Sequence, residues 1–312
     1  MLKKIRCLSS EARTFEEERR IITELRQEYK FSLKEILPFT SLSKSTYEYK
    51  SHPKVKKLSD KKLLSLITAI KKRNSGYGYW TVTDALKRTY NLIINHKRVY
   101  RLMKEHNLLA KKYNRRAGKY DSSKGPQNKK AKNRLHQKFI TDRPYQKVVT
   151  DISEFRYGNR TINDRVYLSP FKDLCSGEII SYTITDRPLT KYVIQGLREV
   201  FKARPKLRYR MTVHSDQGIQ YQSNTYRHEL RKHNVFQSMS RRATCHDNAA
   251  MESFFHTMKV EIDYYTHHFK TKKELIKRME SWIKYYNQER IRHKKKSLTP
   301  IEYRNQALKE FI

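Results

Sequence analysis

Apolar residues in the first third of the chain return every three or four positions, the period of a helix with one buried face. In "ERRIITELRQEYK" that face is Ile21, Ile22 and Leu25. Ser32 and Glu35 have capping-box spacing and open a short second helix, which Pro38 ends. Ser43 is placed to cap a third. Further on, Leu63, Leu66, Ile67 and Ile70 mark another helix, "GYGYW" a turn and "TVTDALKRTY" a middle helix. In the helix that follows, Val99, Leu102 and Met103 face inward, while Lys97, Arg98, Arg101 and Lys104 spread over the outer surface. Short helices with tight turns suit two helix-turn-helix units, although a plain helical bundle reads the same way.

From about residue 145 the period shortens. "YQKVVTDISEF", "DRVYLSPFKDL" and "GEIISYTITD" read as three strands, "TKYVIQGLREVFKAR" as a helix and "LRYRMTVHSDQGIQY" as a fourth strand ending in a turn. "SNTYRHELRKHN" is helical, "VFQSMS" is a short fifth strand, and "DNAAMESFFHTMKVE" returns to helix with Met251, Phe254, Phe255, Met258 and Ile262 on one face. Three strands, then helix, strand, helix, strand and helix, predict a mixed five-stranded α/β sheet with helices on its faces, in the order of a ribonuclease-H-like fold. A long helix follows, with Leu275, Ile276, Met279, Trp282 and Ile283 on its apolar side, then a basic segment and a short helix starting near Pro300. The expected divisions are 1–55 and 56–110 for the helical units, 111–143 for a linker, 144–265 for the sheet domain and 266–312 for the C-terminal helices and basic tail.

Charge changes this picture from fold to partner. The 312 residues carry 69 Lys and Arg against 31 Asp and Glu, a formal charge of +38. That excess repels itself in a free protein and is relieved by a polyanion, so double-stranded nucleic acid is the leading partner. The excess is uneven. Residues 51–150 hold 27 basic and 5 acidic side chains, whereas 151–200 hold 7 of each. The linker segment 111–140 alone has 11 basic residues and one acidic, with Lys111, Lys112, Arg115 and Arg116 among its candidate phosphate contacts. In the tail Arg290, Arg292, His293 and Lys294 to Lys296 are further DNA-binding candidates. No apolar run approaches the roughly 20 residues of a membrane span, and the N-terminus lacks a secretion-signal core. Cys7, Cys175 and Cys245 are widely spaced, which argues against a disulfide framework or a cysteine zinc site and for a cytoplasmic, nucleoid-associated location.

Three acids stand where chemistry would need them. Asp151 follows the apolar "VVT" of the first strand, an uncomfortable place for a carboxylate. Asp216 ends the fourth strand in "VHSDQG", where α/β sheets bind ligands, although an Asx-turn alone would also explain it. Glu252 stands on the border of the apolar helix face, with Lys259 two turns along the same flank, expected to reach DNA without entering the acidic site. Asp247 or Asn248 is expected to serve as N-terminal charge or cap of that helix. His214 and His246 lack zinc-site spacing.

Thirty-five residues separate Asp216 from Glu252. With Asp151 upstream, this is similar to the D…D(35)E signature of retroviral integrases and their bacterial relatives. "TDISEF", "HSDQGIQY", "DNAAMESFFHTMKVE", "YYNQERIRHKKKSLTPIEYR" and "GYGYW…HKRVYRLMKEHNL" together resemble the insertion-sequence-three family of transposases, in particular its second-reading-frame product, over roughly residues 20–306. The resemblance implies metal-dependent cleavage of the element's ends and strand transfer, with two Mg²⁺ (or Mn²⁺) ions about 3.5–4 Å apart. It implies that Asp151 bridges both ions, that Asp216 and Glu252 each complete one, and that Lys259 contacts terminal DNA. It also implies action as a homo-oligomer on DNA, alone or fused by frameshifting to an upstream DNA-binding product. Two departures are Ser153, where the family usually has Thr, and Trp80, where it commonly has a basic residue. A DNA-binding protein without catalysis would need no such acidic set, and a simple nuclease would not need the two basic helical units.

Overall fold

The computed structural model describes residues 14–51, 58–110, 130–241 and 245–312. Chain contacts divide it into two units, Met1–Ser59 and Asp60–Ile312. In the first, α1 (Phe15–Glu28), α2 (Leu33–Ile36) and α3 (Lys44–Ser51) enclose Ile22, Leu25, Ile36, Leu42 and Tyr47. The Ser32–Glu35 capping box is formed: the Ser32 N–H donates to Glu35 Oε2 at 2.7 Å. Thr46 N–H donates to Ser43 Oγ at 3.2 Å, as a third N-cap requires. Glu18, buried on α1, accepts from the Ser41 hydroxyl at 2.8 Å and so ties the first helix to the turn before the third.

The second unit opens with α4 (Asp60–Arg73), α5 (Tyr79–Tyr90) and α6 (His96–Glu105). Leu63, Ile67, Ile70, Val82, Leu86, Val99, Leu102 and Met103 fill the space between them, as their helical spacing requires. The sheet has six strand segments: β1 (Lys147–Thr150), β2 (Ser153–Arg156), β3 (Arg165–Asp173), β4 (Ile179–Thr185), β5 (Thr212–Ser215) and β6 (Phe236–Met239). β1 and β2 both lie antiparallel on the same side of β3, so they are one strand interrupted at Asp151 and Ile152. Counted by position the sheet is therefore five strands wide, running β4, β3, β1 with β2, β5 and β6. β5 is parallel to both β1 and β6.

Helices cover both faces. Val148, Phe171 and Val213 pack towards α7 (Thr190–Ala203), α8 (Ile219–Gln222) and α9 (Asn224–Lys232). Gly196 lets α7 approach closely, since a Cβ there would stand 2.9 Å from the Phe171 ring. Val149, Phe155 and Leu168 pack on the other face towards α10 (Ala249–Glu261) and α11 (Lys272–Gln288), with Met251, Phe254, Phe255, Met258, Met279 and Trp282 completing that core. A last helix, α12, spans Pro300–Leu308 with Thr299 as its cap.

The helices of residues 60–105 are fastened to the C-terminal segment by a specific seam. Arg88 clasps Glu302 through two bonds, of 2.8 and 2.5 Å. Tyr285 donates to Asn74 at 2.6 Å, and His293 bonds Asp84 at 2.8 Å. Trp80 stacks between His96 and His293, with ring centroids 4.1 and 4.7 Å away. The indole that replaces the family's usual basic residue thus serves as packing between two imidazoles.

Arg88 holds the Glu302 carboxyl down to about 2. A depressed carboxyl stabilises above its ordinary pKa, and the contribution fades as pH falls towards the depressed value. We expect Glu302→Gln to speed amide exchange across residues 74–90 about two- to fivefold at neutral pH, since an exposed pair contributes at most about 1 kcal/mol. The difference from the unaltered protein should shrink in acid; an equal difference at low pH would show that the charge pair is not its source.

Candidate active site

The register of two parallel strands builds the site. Lys147, Val148 and Val149 of β1 lie beside Thr212, Val213 and His214 of β5. Carried two residues further, the same register sets Asp151 beside Asp216, at the carboxyl ends of adjacent central strands. Neighbouring strands run only about 4.8 Å apart, so the two carboxylates are forced into company. Val149 packs on the face covered by α10, and Asp151, two positions on, points the same way by the alternation of a strand. That helix carries Glu252 on its exposed border, in its first turn.

The local backbone fits this use. The Asp151 carboxylate accepts the N–H of Ile152 at 2.8 Å, where the strand breaks between β1 and β2. Asp216 Oδ1 accepts the N–H of Gly218 at 2.9 Å, so the Asx-turn that the sequence allowed is formed. A Cβ on Gly218 would lie 3.1 Å from that carboxylate oxygen, which explains a glycine at this turn.

The electrostatics record the conflict. Burial drives the Asp151 carboxyl well above its ordinary range, the charge of Asp216 pushes it further, and Glu252 adds a smaller push. Burial likewise raises Asp216. Beneath them the buried Tyr221 phenol, 3.4 Å from the Thr150 hydroxyl, is pushed well up by burial and by both aspartates. Nothing in "QGIQY" singled Tyr221 out. Its role as the floor of the site appears only when the turn is folded.

Lys259 departs from expectation. Its ammonium lies 4.8 Å above the Phe155 ring and 5.7 Å from that of Tyr264. Burial lowers it, while the charges of Glu154 and Asp151 raise it, so it belongs to the electrostatics of the acidic site rather than standing apart. The other acids are accounted for elsewhere. Glu154 is held by Arg156 at 2.7 Å and Arg165 at 3.3 Å, and Asp173 accepts from Tyr145 and Ser176 in a hairpin. Asp247 is not a helix cap but is fully buried against Arg241. Asn248 stands at the cap position without a side-chain cap bond and donates to the Thr150 carbonyl at 3.3 Å. Both ring nitrogens of His214 bond serine hydroxyls, and burial lowers it to about 4, so it stays neutral.

The basic candidates divide by environment. Lys97, Lys104 and Lys294 are exposed. Arg98 and Arg101 both grip Asp60, at 2.5 and 2.6 Å, because the start of α4 runs beside α6. Arg290 is drawn inward to Glu261 at 2.8 Å, which also accepts from the Trp282 indole at 2.9 Å. Arg292 bonds Tyr286 at 2.5 Å and lies over Gly177, whose φ of +80° and missing Cβ leave room for the guanidinium. Arg290 and Arg292 therefore join the C-terminal tail to the core, in place of the exposed DNA-facing position expected for them. Lys111, Lys112, Arg115 and Arg116 lie outside the described residues.

Among the described residues no three acidic, histidine or cysteine side chains crowd closely enough to surround one ion. The donor set nevertheless suits a hard divalent cation. Asp151 and Asp216 are adjacent, half-buried oxygen ligands, each anchored by one backbone N–H and raised by burial, and a cation would relieve that cost.

Comparison with known proteins agrees with this geometry. Residues 141–245 match a family described as an integrase core domain, residues 252–308 match a second integrase core family, and residues 58–117 match an HTH-like domain. These matches place the chain among DNA-cleaving and strand-transferring enzymes built on an integrase core, with an attached helix-turn-helix-like region. InsK, a transposase for insertion sequence element IS150 of Escherichia coli (strain K12), is 40% identical over 291 residues, covering 92% of this chain and 98% of that protein. A transposase-like protein of Haemophilus influenzae is 40% identical over 219 residues, 69% of this chain and 95% of its own length. The chain belongs to the IS3 family of insertion-sequence transposases. The HTLV-2 integrase catalytic core, solved in complex with magnesium, aligns with a TM-score of 0.40 at 13% identity, over 52% of this chain and 97% of that one. No helix of the described residues is long and apolar enough to cross a membrane.

The raised aspartates make a thermodynamic prediction. A carboxyl whose folded pKa lies above its unfolded one gives stability that is full at low pH and lost as pH rises through the folded value. In chelator, Asp216→Asn should therefore raise the melting temperature by a few degrees at pH 8 and much less at pH 4. Calorimetric melts at the two pH values measure this, and a variant less stable at pH 8 would contradict it.

Proposed function

We propose that Asp151, Asp216 and Glu252 hold two Mg²⁺ (or Mn²⁺) ions and that the chain cuts and joins DNA at the ends of its element. The observation that carries this reading is the parallel register bringing Asp151 beside Asp216 under the helix of Glu252. In this reading Asp151, Asp216 and Glu252 would hold the ions between them, each lending a carboxylate. When bound, the ions would supply Lewis-acid stabilisation of the entering and leaving oxygens of an in-line phosphoryl transfer. The protein's own part is to hold the carboxylates ready. The Gly218 and Ile152 N–H groups fix the two aspartates, and the apolar face of α10 fixes Glu252. Lys259, resting on Phe155 and Tyr264, offers positive charge beside the acids for a DNA phosphate. Hydrolysis of one strand at the element's end would free a 3′ hydroxyl, which the same site would then direct at a second phosphodiester.

DNA binding rests on charge. Exposed Lys97 and Lys104 on α6 and Lys294 in the tail remain the described candidates for phosphate contact. The basic segment of residues 111–140 would follow the same duplex. Two copies of the chain acting on two element ends, with or without an upstream-frame DNA-binding product, complete the proposal. Such a complex would work in the cytoplasm on the bacterial nucleoid.

Asp216→Asn should lower strand cleavage and joining about a thousandfold or more, the rate equivalent of roughly 4 kcal/mol of lost transition-state stabilisation. Binding to the element's ends, followed by gel shift, should stay within about twofold. Joining by that variant at the rate of the unaltered protein would sink the catalytic assignment. Activity abolished by chelator should return with Mg²⁺ or Mn²⁺.

Replacing Lys97 and Lys104 by Ala should weaken binding to all duplexes alike. The slope of log affinity against log salt should become shallower by about 1 to 2, one condensed counterion per lost phosphate contact. An unchanged slope would remove these two lysines from the DNA surface.

A further inference from the structure

The helix that bears Glu252 is not held by a cap of its own, yet its first turn is gripped from three sides. Asp247, in the 3₁₀ turn Cys245–Asn248 just before it, is 0% exposed and receives five donors. Arg241 gives three: its N–H at 2.8 Å and its Nε at 3.0 Å to Oδ2, and its Nη2 at 3.0 Å to Oδ1. Asn133 Nδ2 donates to Oδ2 at 2.9 Å and Gln137 Nε2 to Oδ1 at 2.9 Å. A carboxylate has about four lone-pair directions, so both oxygens are saturated. One residue on, Asn248 donates to the Thr150 carbonyl, next to Asp151. Two further on, the buried Lys172 of β3 donates its ammonium to the Ala250 carbonyl at 2.9 Å.

Asn133 and Gln137 belong to the stretch by which the basic segment enters the sheet domain. That stretch is itself seated on the sheet. Asn133 Oδ1, of its side-chain amide, accepts the N–H groups of Leu135 and His136, each at 2.9 Å. The Arg134 N–H donates to Ser238 Oγ at 2.8 Å, and the same hydroxyl bonds His214. Residues before it in the chain lead back to the helix-turn-helix-like region, and residues after Asp247 lead within one turn to Glu252. Asp247 joins the two by hydrogen bonds, beside the apolar contact of Leu135 with the core that α10 lines.

We propose that Asp247 is a positioning residue, the joint through which the docked end of the basic segment sets the placement of Glu252 for metal binding. The proposal rests on the reading of Glu252 as a metal ligand. It gives the basic segment a second task besides phosphate contact. Seating Asn133 and Gln137 on Asp247 sets the angle of α10, so a chain whose linker is drawn away by DNA would hold Glu252 differently from one whose linker is docked.

The test uses the full-length chain with Asn133→Ala plus Gln137→Ala, which removes the linker's donors and leaves the Arg241 pair intact, and separately Asp247→Asn. In metal-free protein, amide exchange of residues 253–256 reports on the carbonyls of the helix's first turn and needs no activity. The double variant should exchange there roughly tenfold faster with little change in melting temperature, and its half-maximal Mn²⁺ for joining should rise about tenfold, the usual scale for a residue supporting a ligand. Asp247→Asn should shift both readouts in the same direction and further. Should that variant fail to fold, the double variant decides alone. Unchanged exchange at 253–256 together with an unchanged Mn²⁺ requirement in the double variant would overturn the proposal. Glu252→Gln separates the two ideas: if it joins DNA normally, Glu252 is not a ligand and the reading of the site fails, whereas the exchange result still stands or falls by itself.

Discussion

The structure turns on a repulsion that the backbone imposes. Parallel pairing of β1 with β5 sets two aspartates side by side at the ends of adjacent strands, half out of water, where neither can ionise cheaply. Each accepts one backbone N–H, and the charge of Lys259 eases Asp151 without offsetting its burial. A fold does not keep such a pair for its own stability. In the proposed reading a cation would relieve that cost, and the strand is interrupted between β1 and β2 at Asp151 and Ile152.

The rest of the sheet domain serves this pair by keeping other charges occupied. Glu154 is taken by Arg156 and Arg165, Asp173 by the hairpin, and Asp247 by Arg241, so none competes for the site. On the far side of α10, Arg290 and Glu261 close a sparsely exposed pair with the Trp282 indole, which holds the end of that helix to α11. Such a pair adds little net stability when desolvation is counted, but breaking it leaves a lone charge. Its effect is to fix geometry. Lys172 and Asn248 do the same for the first turn. Glu252 is therefore carried on a helix fastened at both ends.

The helices of residues 60–105 share a unit with this machinery and are sewn to its C-terminal segment by Arg88, Tyr285, His293 and the Trp80 stack. The tail is consequently less a free basic arm than its composition suggests. Of its arginines two are buried in bonds, and Lys294 is left outward. Part of the positive charge of the chain is thus paired internally.

Helix and strand periods, the Ser32–Glu35 and Ser43 caps, the apolar face of α10 and the flanking place of Glu252 were all legible in the sequence, because each depends on neighbours within a turn or two. The five-stranded width of the sheet was legible as well, from the succession of strands and helices along the chain, whereas the order of the strands within it was not. Opaque to sequence were Asp60 as the joint partner of Arg98 and Arg101, the inward turn of Arg290 and Arg292, the stacking of Trp80 and the burial of Asp247. Most of these join groups distant in the chain, such as Asp60 with Arg98, Trp80 with His293 and Asn133 with Asp247, and polar groups carry no periodicity that names their partner. The spacing of Asp151, Asp216 and Glu252 marked three carboxylates along the chain. Only the parallel register of two strands set Asp151 beside Asp216, and only the packing of α10 brought the charge of Glu252 to bear on Asp151.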